Sequence, residues 1–228
     1  MLIKSTILAQ ASGSVNGMVF SHNKGGAYAR NRSLVTNPNT DAQQAVRDAQ
    51  RLILQAWTST LSPSQRDAWN LYAFNTPMLN RLGDVTKRSG QNMFMRGNLA
   101  RMQAGEALLT AAPTTFDLGT FTPVSCALAH LTSQVSITFD NTDAWANEDD
   151  SFMLIYQSRP QNRTVNFFKG PYQLLTKIAG DSMTPPTSPF MATSLFPTVA
   201  AQKVFFKINV ARKDGRYSDP QRPETITT

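Results

Sequence analysis

The chain has few of the residues that build covalent cross-links and metal sites. It contains one cysteine, Cys126, and two histidines among 228 residues. A disulfide within the chain is therefore impossible, and a zinc site, which needs about four His, Cys or carboxylate ligands at close spacing, is not expected. The neighbours of Cys126 are small or apolar, which predicts a buried structural residue rather than a catalytic thiol. We expect no metal ion and no cofactor.

Long apolar runs and catalytic motifs are also missing. No run reaches the roughly 18 residues of a membrane span, and residues 1–10 are too short for a signal peptide. We therefore expect a chain without a membrane partner that stays in the cytoplasm where it is made. Neither a G-x-S-x-G nucleophile elbow nor a G-x-x-x-x-G-K-S/T phosphate loop occurs. These absences predict that the chain is not an enzyme.

Charge is scarce and unevenly distributed. Charged residues make up 16% of the chain and hydrophobic residues 41%, a balance that fits a folded protein with a core. Residues 1–107 contain 12 Lys and Arg against 5 Asp and Glu, which accounts for the whole net charge of +7, and residues 108–228 contain 10 of each sign. A basic half of this kind can bind nucleic acid or an acidic protein surface.

Residues 1–36, which are rich in Gly, Ser and Asn, form the first of three predicted regions. Short strands joined by tight turns fit this composition better than a helix, and residues 27–34 are the predicted return strand of a β-hairpin. A lone hairpin is only marginally stable in water. We therefore expect this glycine-rich arm to pack on its own helices or on a neighbouring chain.

Residues 37–110 form the predicted helical region, because helix start signals recur along them. Thr40 and Ser62 are each followed three residues later by glutamine, which matches a capping box. Apolar residues at helical spacing follow each start, and the two tryptophans of this region are the expected shared core of an antiparallel helix pair. A third helix is predicted from residue 89 to about residue 103.

Residues 111–228 are predicted to form an antiparallel β-sandwich. Short segments of alternating polar and apolar residues are separated by turn signals such as Asp214-Gly215. The predicted strands are residues 135–139, 152–158, 203–211 and, more weakly, 164–169. The polar residues 221–228 are expected to form a tail. The fold class is therefore α+β, with a β-hairpin and a small helical region before the sandwich.

The best candidate for a binding surface is a basic and aromatic patch formed by Lys24, Tyr28, Arg30 and Arg32. Such a patch can follow a phosphate backbone and stack a base, but a solvated or protein-binding basic surface is the simpler interpretation. Further basic residues that could extend it are Arg47, Arg51, Arg66, Arg81, Lys87, Arg88, Arg96 and Arg101.

An acidic cluster lies in the second half of the chain. It consists of Asp143, Glu148, Asp149 and Asp150. The regular spacing and the glycine of a calcium loop are absent, so we interpret the cluster as a solvated loop between strands.

Four segments follow one another in the first 105 residues. They are residues 13–32 (G-S-V-N-G-M-V-F-S-H-N-K-G-G-A-Y-A-R-N-R), 37–43 (N-P-N-T-D-A-Q), 61–69 (L-S-P-S-Q-R-D-A-W) and 89–94 (S-G-Q-N-M-F). As an ordered set they resemble small, uncharacterised proteins of bacteriophages and prophage regions. The resemblance implies membership of a set of phage structural proteins and transfers no catalytic residues. Residues 205–218 resemble the last two strands of a fibronectin type III or immunoglobulin-like sandwich, in which Tyr156 would replace the missing core tryptophan.

These observations predict a non-enzymatic virion protein, either a capsid-associated or decoration protein or a neck or tail component. Its expected partners are other virion proteins and copies of itself. Residues 13–32 are the predicted docking segment, because a strand can add to the edge of a partner's sheet. Aromatic and arginine side chains dominate binding hot spots. The predicted partner-binding residues are Phe20, Lys24, Tyr28, Arg30 and Arg32.

Two alternatives differ in class from a structural protein. One is a nucleic-acid-binding protein that uses the basic half, whose affinity would fall steeply with salt. The other is a hydrolase acting on a glycan, which would need a cleft with carboxylates, and the sequence nominates none.

Overall fold

The structure is a computed structural model that describes residues 11–23, 26–33, 37–79 and 85–228. The described residues form three α-helices and twelve β-strands in antiparallel sheets, so the predicted α+β class is confirmed. The chain divides into two compact units, Met1–Gln44 and Ala45–Thr228, which we call the N-terminal unit and the C-terminal unit. The region boundaries predicted from the sequence stay predictions.

The N-terminal unit contains a three-stranded antiparallel sheet. Its strands are β1 (Gly13–Val15), β2 (Met18–Asn23) and β3 (Gly26–Asn31), in the order β1-β2-β3. Asn16 and Gly17 connect β1 to β2 with φ angles of 43° and 85°. An Asn-Gly pair with two positive φ angles is typical of a two-residue hairpin turn whose twist matches that of the strands. The predicted hairpin is therefore present, with one strand more than expected.

Three helices follow, and the predicted caps form at their starts. They are α1 (Asp41–Gln55), α2 (Pro63–Asn75) and α3 (Gly90–Gln103). A π-helical turn, Ala56–Thr60, extends α1. The Ser62 side chain accepts a hydrogen bond from the Gln65 backbone, and the Gln65 side chain accepts one from the Ser62 backbone, which completes the predicted capping box. Between α2 and α3, strands β4 (Met78–Leu79) and β5 (Val85–Thr86) pair with each other.

Phe94 of α3 lies at the centre of the helical core. Its ring lies 5.5 Å from that of Trp57 and 5.4 Å from that of Trp69, measured between centroids. Trp69 and Phe94 are fully buried, and Ile53 of α1 joins the same cluster. The two tryptophans thus share a core, as predicted, but they share it through the third helix.

Seven strands of the C-terminal unit form two antiparallel sheets. One has the order β10-β7-β6, with β6 (Ser125–Ala129), β7 (Gln134–Thr138) and β10 (Phe190–Thr193). The other has the order β12-β11-β8-β9, with β8 (Phe152–Ser158), β9 (Tyr172–Ala179), β11 (Lys203–Ala211) and β12 (Glu224–Ile226). Buried side chains from both sheets form one apolar cluster.

Strand β8 is buried on both faces. Met153 and Ile155 belong to the cluster between the sheets, whereas Phe152 and Leu154 pack with Ala100 of α3. Alternate residues of a strand point to opposite faces, so α3 covers the second face of this sheet. Tyr156 lies on that helix side, and its expected role as the core aromatic residue between the sheets is wrong.

Trp145 is one of the aromatic residues buried between the two sheets, with Phe139 and Phe206. It precedes β8, is 1% exposed, and its ring centroid lies 5.3 Å from that of Phe139. The sequence pattern predicts no strand at residue 145, and in the structure this tryptophan lies in a turn. The Trp145 side chain therefore enters the core from a turn and not from a strand.

Two further expectations for this half are wrong. Residues 164–169 form no strand, and the expected polar tail contains β12, which pairs with β11. The backbone N–H of Thr228 donates to the Leu128 carbonyl at 3.2 Å, and the His130 N–H donates to the Thr228 carbonyl at 3.0 Å. Backbone pairing needs no apolar side chain, so a polar segment can complete a sheet.

Gly97 marks the closest approach of α3 to the turn after β11. A Cβ atom at this position would lie 2.7 Å from the carbonyl oxygen of Gly215, which itself has a φ of 93° in the predicted Asp-Gly turn. A glycine inside a helix costs about 1 kcal/mol relative to alanine, and the close contact with the Gly215 turn accounts for it here.

Candidate docking surface

The register of the N-terminal sheet separates the predicted partner-binding residues. Phe20 lies opposite Ala29, Ser21 opposite Tyr28, and Val19 opposite Arg30. Directly opposed residues of antiparallel strands share a face, and a step of one residue changes the face. Phe20 therefore lies on one face, and Tyr28 and Arg30 lie on the other.

The face that carries Phe20, which we call the apolar face, is open. Val15 and Met18 lie opposite each other on it and are 66% and 41% exposed. Phe20 is half-buried, and Ala29 is buried. Exposed apolar side chains gathered on one face are a common mark of an interaction site.

The opposite face, which we call the arginine face, is polar. Ser21, Tyr28 and Arg30 lie on it together with Val19. Tyr28 is half-buried and Arg30 is exposed. Tyr28 offers an amphipathic ring and Arg30 a planar guanidinium that donates hydrogen bonds. Both proteins and nucleic acids can bind to such a pair.

Lys24 and Arg32 are the two remaining predicted residues. Lys24 falls outside the described residues. Arg32 follows β3, and its backbone N–H donates to the Gly17 carbonyl at 2.7 Å, so the segment after β3 is held beside the β1–β2 turn. The Arg32 side chain is exposed.

Strand β3 lies at an edge of the sheet. Among the described residues it pairs with β2 alone, so one side of its backbone is open in that part of the chain. An unpaired edge presents a row of N–H and C=O groups to which an extended segment of another chain can add.

Helix α1 is the second exposed element near the start of the chain. Of its 15 residues only Ile53 is buried. Val46, Leu52 and Leu54 are 39%, 50% and 38% exposed. Ile53 of the predicted apolar stripe is thus covered, whereas Val46 near the start of the helix and Leu52 and Leu54 near its end stay exposed.

Three of the basic residues expected to extend the patch make contacts within the fold. Arg101 is only 5% exposed, and its Nε donates to the Ala107 carbonyl at 3.0 Å. Arg96 pairs with Asp219 at 2.8 Å, and the Lys87 ammonium lies 3.4 Å from the centre of the Phe74 ring. Arg81 falls outside the described residues. The prediction that Arg101 belongs to a basic surface is wrong, because its side chain is buried and donates to a backbone carbonyl within the fold.

The acidic cluster is dispersed as well. Asp143 accepts hydrogen bonds from the backbone and hydroxyl of Thr122, and Glu148 pairs with Arg212 at 2.6 Å. Burial raises the pKa of the Glu148 carboxyl, but the hydrogen bond and charge of Arg212 outweigh it and bring the pKa below its usual value. These carboxylates therefore hold loops in place and do not converge on a common point.

Cys126 is a structural residue, as predicted. It is 8% exposed and belongs to the cluster between the two sheets. Burial raises the pKa of its thiol to about 12, which keeps it protonated at neutral pH. Across the described ranges, no group of three or more His, Cys, Asp or Glu side chains is arranged to hold a metal ion.

Comparisons with known proteins add one structural likeness. No family model and no curated protein matches the chain. Among solved structures the chain is similar to a Fn3-like protein from Clostridium thermocellum, with 12% sequence identity and a TM-score of 0.32. The match covers 49% of this chain and 96% of that one. None of the helices in the described part of the chain has the length and apolar character of a membrane span.

Proposed function

We propose that the protein is a non-enzymatic structural component of a bacteriophage particle and that it docks on its partner through the N-terminal sheet. The assignment to a phage particle rests on the sequence segments between residues 13 and 94. The docking role rests on the geometry of residues 13–31. Its partners would be other virion proteins and further copies of the chain.

The exposed apolar face is the observation that carries the docking role. Among the described residues between 11 and 44, Ala29 alone is buried, while Val15 and Met18 of the same sheet stay exposed. Covering an apolar face stabilises a sheet, because removing apolar surface from water is the main favourable term in folding. Contact with a partner would cover this face, and the open edge of β3 would add main-chain hydrogen bonds to the same interface.

The two sheets of the C-terminal unit would form a fibronectin type III-like or immunoglobulin-like sandwich. Their shared apolar cluster, which includes Val135, Ile155 and Phe206, supports a two-sheet module. The turn at Asp214-Gly215 and the pairing of residues 217–226 along β11 fit the last two strands of such a module. In the assembled particle this unit would face outward or contact a neighbouring copy.

The composition of purified phage particles tests the proposal. Quantitative mass spectrometry should find the protein in particles, and its copy number would place it. Dozens to hundreds of copies indicate a capsid-associated or decoration protein, whereas six or twelve indicate a ring in the neck or tail. Absence of the protein from particles would contradict the proposal and favour the nucleic-acid alternative, whose binding must weaken steeply with salt.

A deletion of residues 13–32 tests the docking segment separately. The shortened protein should fold its C-terminal unit and be lost from particles. Incorporation at the normal copy number would show that docking uses another surface. The fluorescence of the tryptophans, all three of which lie in the C-terminal unit, provides the control for folding.

A further inference from the structure

On the face of sheet β12-β11-β8-β9 that packs against α3, one row of side chains lies between the part covered by α3 and the part covered by Phe168. Along this face, Phe152 pairs with Ala211, Leu154 with Asn209, and Tyr156 with Lys207. Helix α3 packs on the first two rows through Ala100. Two residues beyond Lys207 on the same face of β11, Phe205 is covered by Phe168, whose ring centroid lies 5.4 Å from its own. The row of Tyr156 and Lys207 is left partly open between them, and both residues are half-buried.

Three cations meet at this row, each against an aromatic ring. The Lys207 ammonium lies 5.1 Å from the centre of the Tyr156 ring. The Arg222 guanidinium lies 5.2 Å from the Phe168 ring, and that of Arg96 lies 5.3 Å from the Tyr217 ring. Arg222 reaches the row because the backbone of its neighbour Gln221 pairs with Ile208, beside Lys207.

The positive charge of this cluster is poorly compensated. In the described chain Arg96 pairs with Asp219, whereas neither Lys207 nor Arg222 forms an ion pair. Burial, followed by the charges of Arg222 and Arg96, lowers the pKa of Lys207. Like charges held close together repel one another, a ligand of opposite charge relieves the repulsion, and perturbed cations of this kind concentrate at functional sites.

We propose that Lys207 and Arg222, with Arg96 beside them, bind carboxylate side chains from an acidic segment of a partner protein. The exposed guanidinium of Arg222 can hold a carboxylate through two parallel hydrogen bonds. The half-buried Lys207 ammonium, which lies over the Tyr156 ring, supplies a second charged hydrogen-bond donor. The surface is distinct from the N-terminal sheet and gives the C-terminal unit a contact of its own.

An acidic protein segment fits this site better than nucleic acid. Residues 108–228 carry equal numbers of positive and negative charges, so this half lacks the general positive field that polyanions require. The cations are confined to a single row and form no stripe that could follow a phosphate backbone. The rings of Tyr156 and Phe168 each already hold a cation of the chain itself, which occupies a face that a base would need for stacking.

Binding of a short polyglutamate peptide to the full chain tests the site. Fluorescence anisotropy at roughly 50 mM salt keeps screening low. Lys207→Gln and Arg222→Gln should each weaken binding at least about fivefold, because each removes a charged hydrogen bond. Lys213→Gln removes the same charge beyond the far end of β11 and should leave affinity unchanged. Circular dichroism should show that all three variants fold.

The outcomes separate the possibilities. Peptide binding that falls in Lys207→Gln and Arg222→Gln but persists in Lys213→Gln supports the site. No binding by the unmodified chain, or equal loss in all three variants, overturns it. Preferential binding of a single-stranded oligothymidylate through the same two residues also overturns it and assigns the site to nucleic acid. None of these results depends on whether the N-terminal sheet docks on a particle.

Discussion

The two units of the protein differ most in how they bury apolar side chains. The described part of the N-terminal unit buries Ala29 alone and leaves Val15 and Met18 on an open face. The C-terminal unit contains three buried clusters, and its strand β8 is covered on both faces. Burial of apolar surface is the main source of folding free energy. The C-terminal unit therefore contains what it needs to fold, whereas the N-terminal sheet presents surface suited to a partner.

The largest expected effect contrasts the aromatic residues Phe94 and Phe20. Phe94→Ala should destabilise the C-terminal unit by about 3–5 kcal/mol, because it empties the space between two tryptophans. Phe20→Ala should leave the same transition unchanged. Urea unfolding followed by tryptophan fluorescence measures both, since all three tryptophans lie in the C-terminal unit. Equal losses would remove the distinction between the units.

The next effect compares a buried ion pair with an exposed one. Glu148 and Arg212 have side chains that are 13% and 10% exposed. Glu148→Ala should lower the free energy of unfolding by about 3 kcal/mol, because it leaves the buried Arg212 guanidinium without its carboxylate partner. Asp48 and Arg51 of α1 are 60% and 76% exposed, and Asp48→Ala should cost less than about 0.5 kcal/mol. Chemical denaturation of the two variants measures the difference, and similar costs would contradict the assigned burial.

A smaller effect tests how tightly α3 packs on the β half. Gly97→Ala improves helix propensity by about 1 kcal/mol, but the new methyl group would meet the Gly215 carbonyl at 2.7 Å. The clash should prevail, since overpacking typically costs about 1–3 kcal/mol. A lowered melting temperature is therefore expected. A raised one would mean that the helix and the turn are further apart.

The smallest effect concerns the cap of α2. Ser62→Ala removes the acceptor for the Gln65 N–H and should cost about 1 kcal/mol, whereas Ser62→Asp should restore the cap. Thermal unfolding distinguishes them. Equal stability of all three proteins would show that α2 does not depend on its capping box.

Local signals in the sequence predicted most of the helices and strands, because caps, turns and alternation act over a few residues. Ser62, Ser89 and Asp214-Gly215 each mark a boundary in the structure. The Asn16-Gly17 turn was equally visible in the sequence and would have predicted β1. Residues 224–226, which belong to a mostly polar C-terminal segment, escaped prediction, because their pairing depends on main-chain geometry.

The arrangement of the binding surfaces was not predictable in the same way. The five residues chosen from the glycine-rich arm form a cluster in sequence, but strand register places Phe20 and Arg30 on opposite faces. The cluster of Lys207, Arg222 and Arg96 depends on strand pairing between distant parts of the chain. The register of a local hairpin sets the first feature, and pairing between distant segments sets the second; neither follows from the residue types alone.

The most direct test of docking measures the incorporation of face-specific variants into phage particles. Phe20→Asp places a charge on the apolar face, and Arg30→Asp reverses a charge on the arginine face of the same sheet. Quantitative mass spectrometry should show that Phe20→Asp lowers incorporation at least about tenfold, a loss typical of an interface hot spot. Arg30→Asp should lower incorporation less. In both variants the unfolding of the C-terminal unit should be unchanged. Both variants at the normal copy number would contradict docking through the N-terminal sheet.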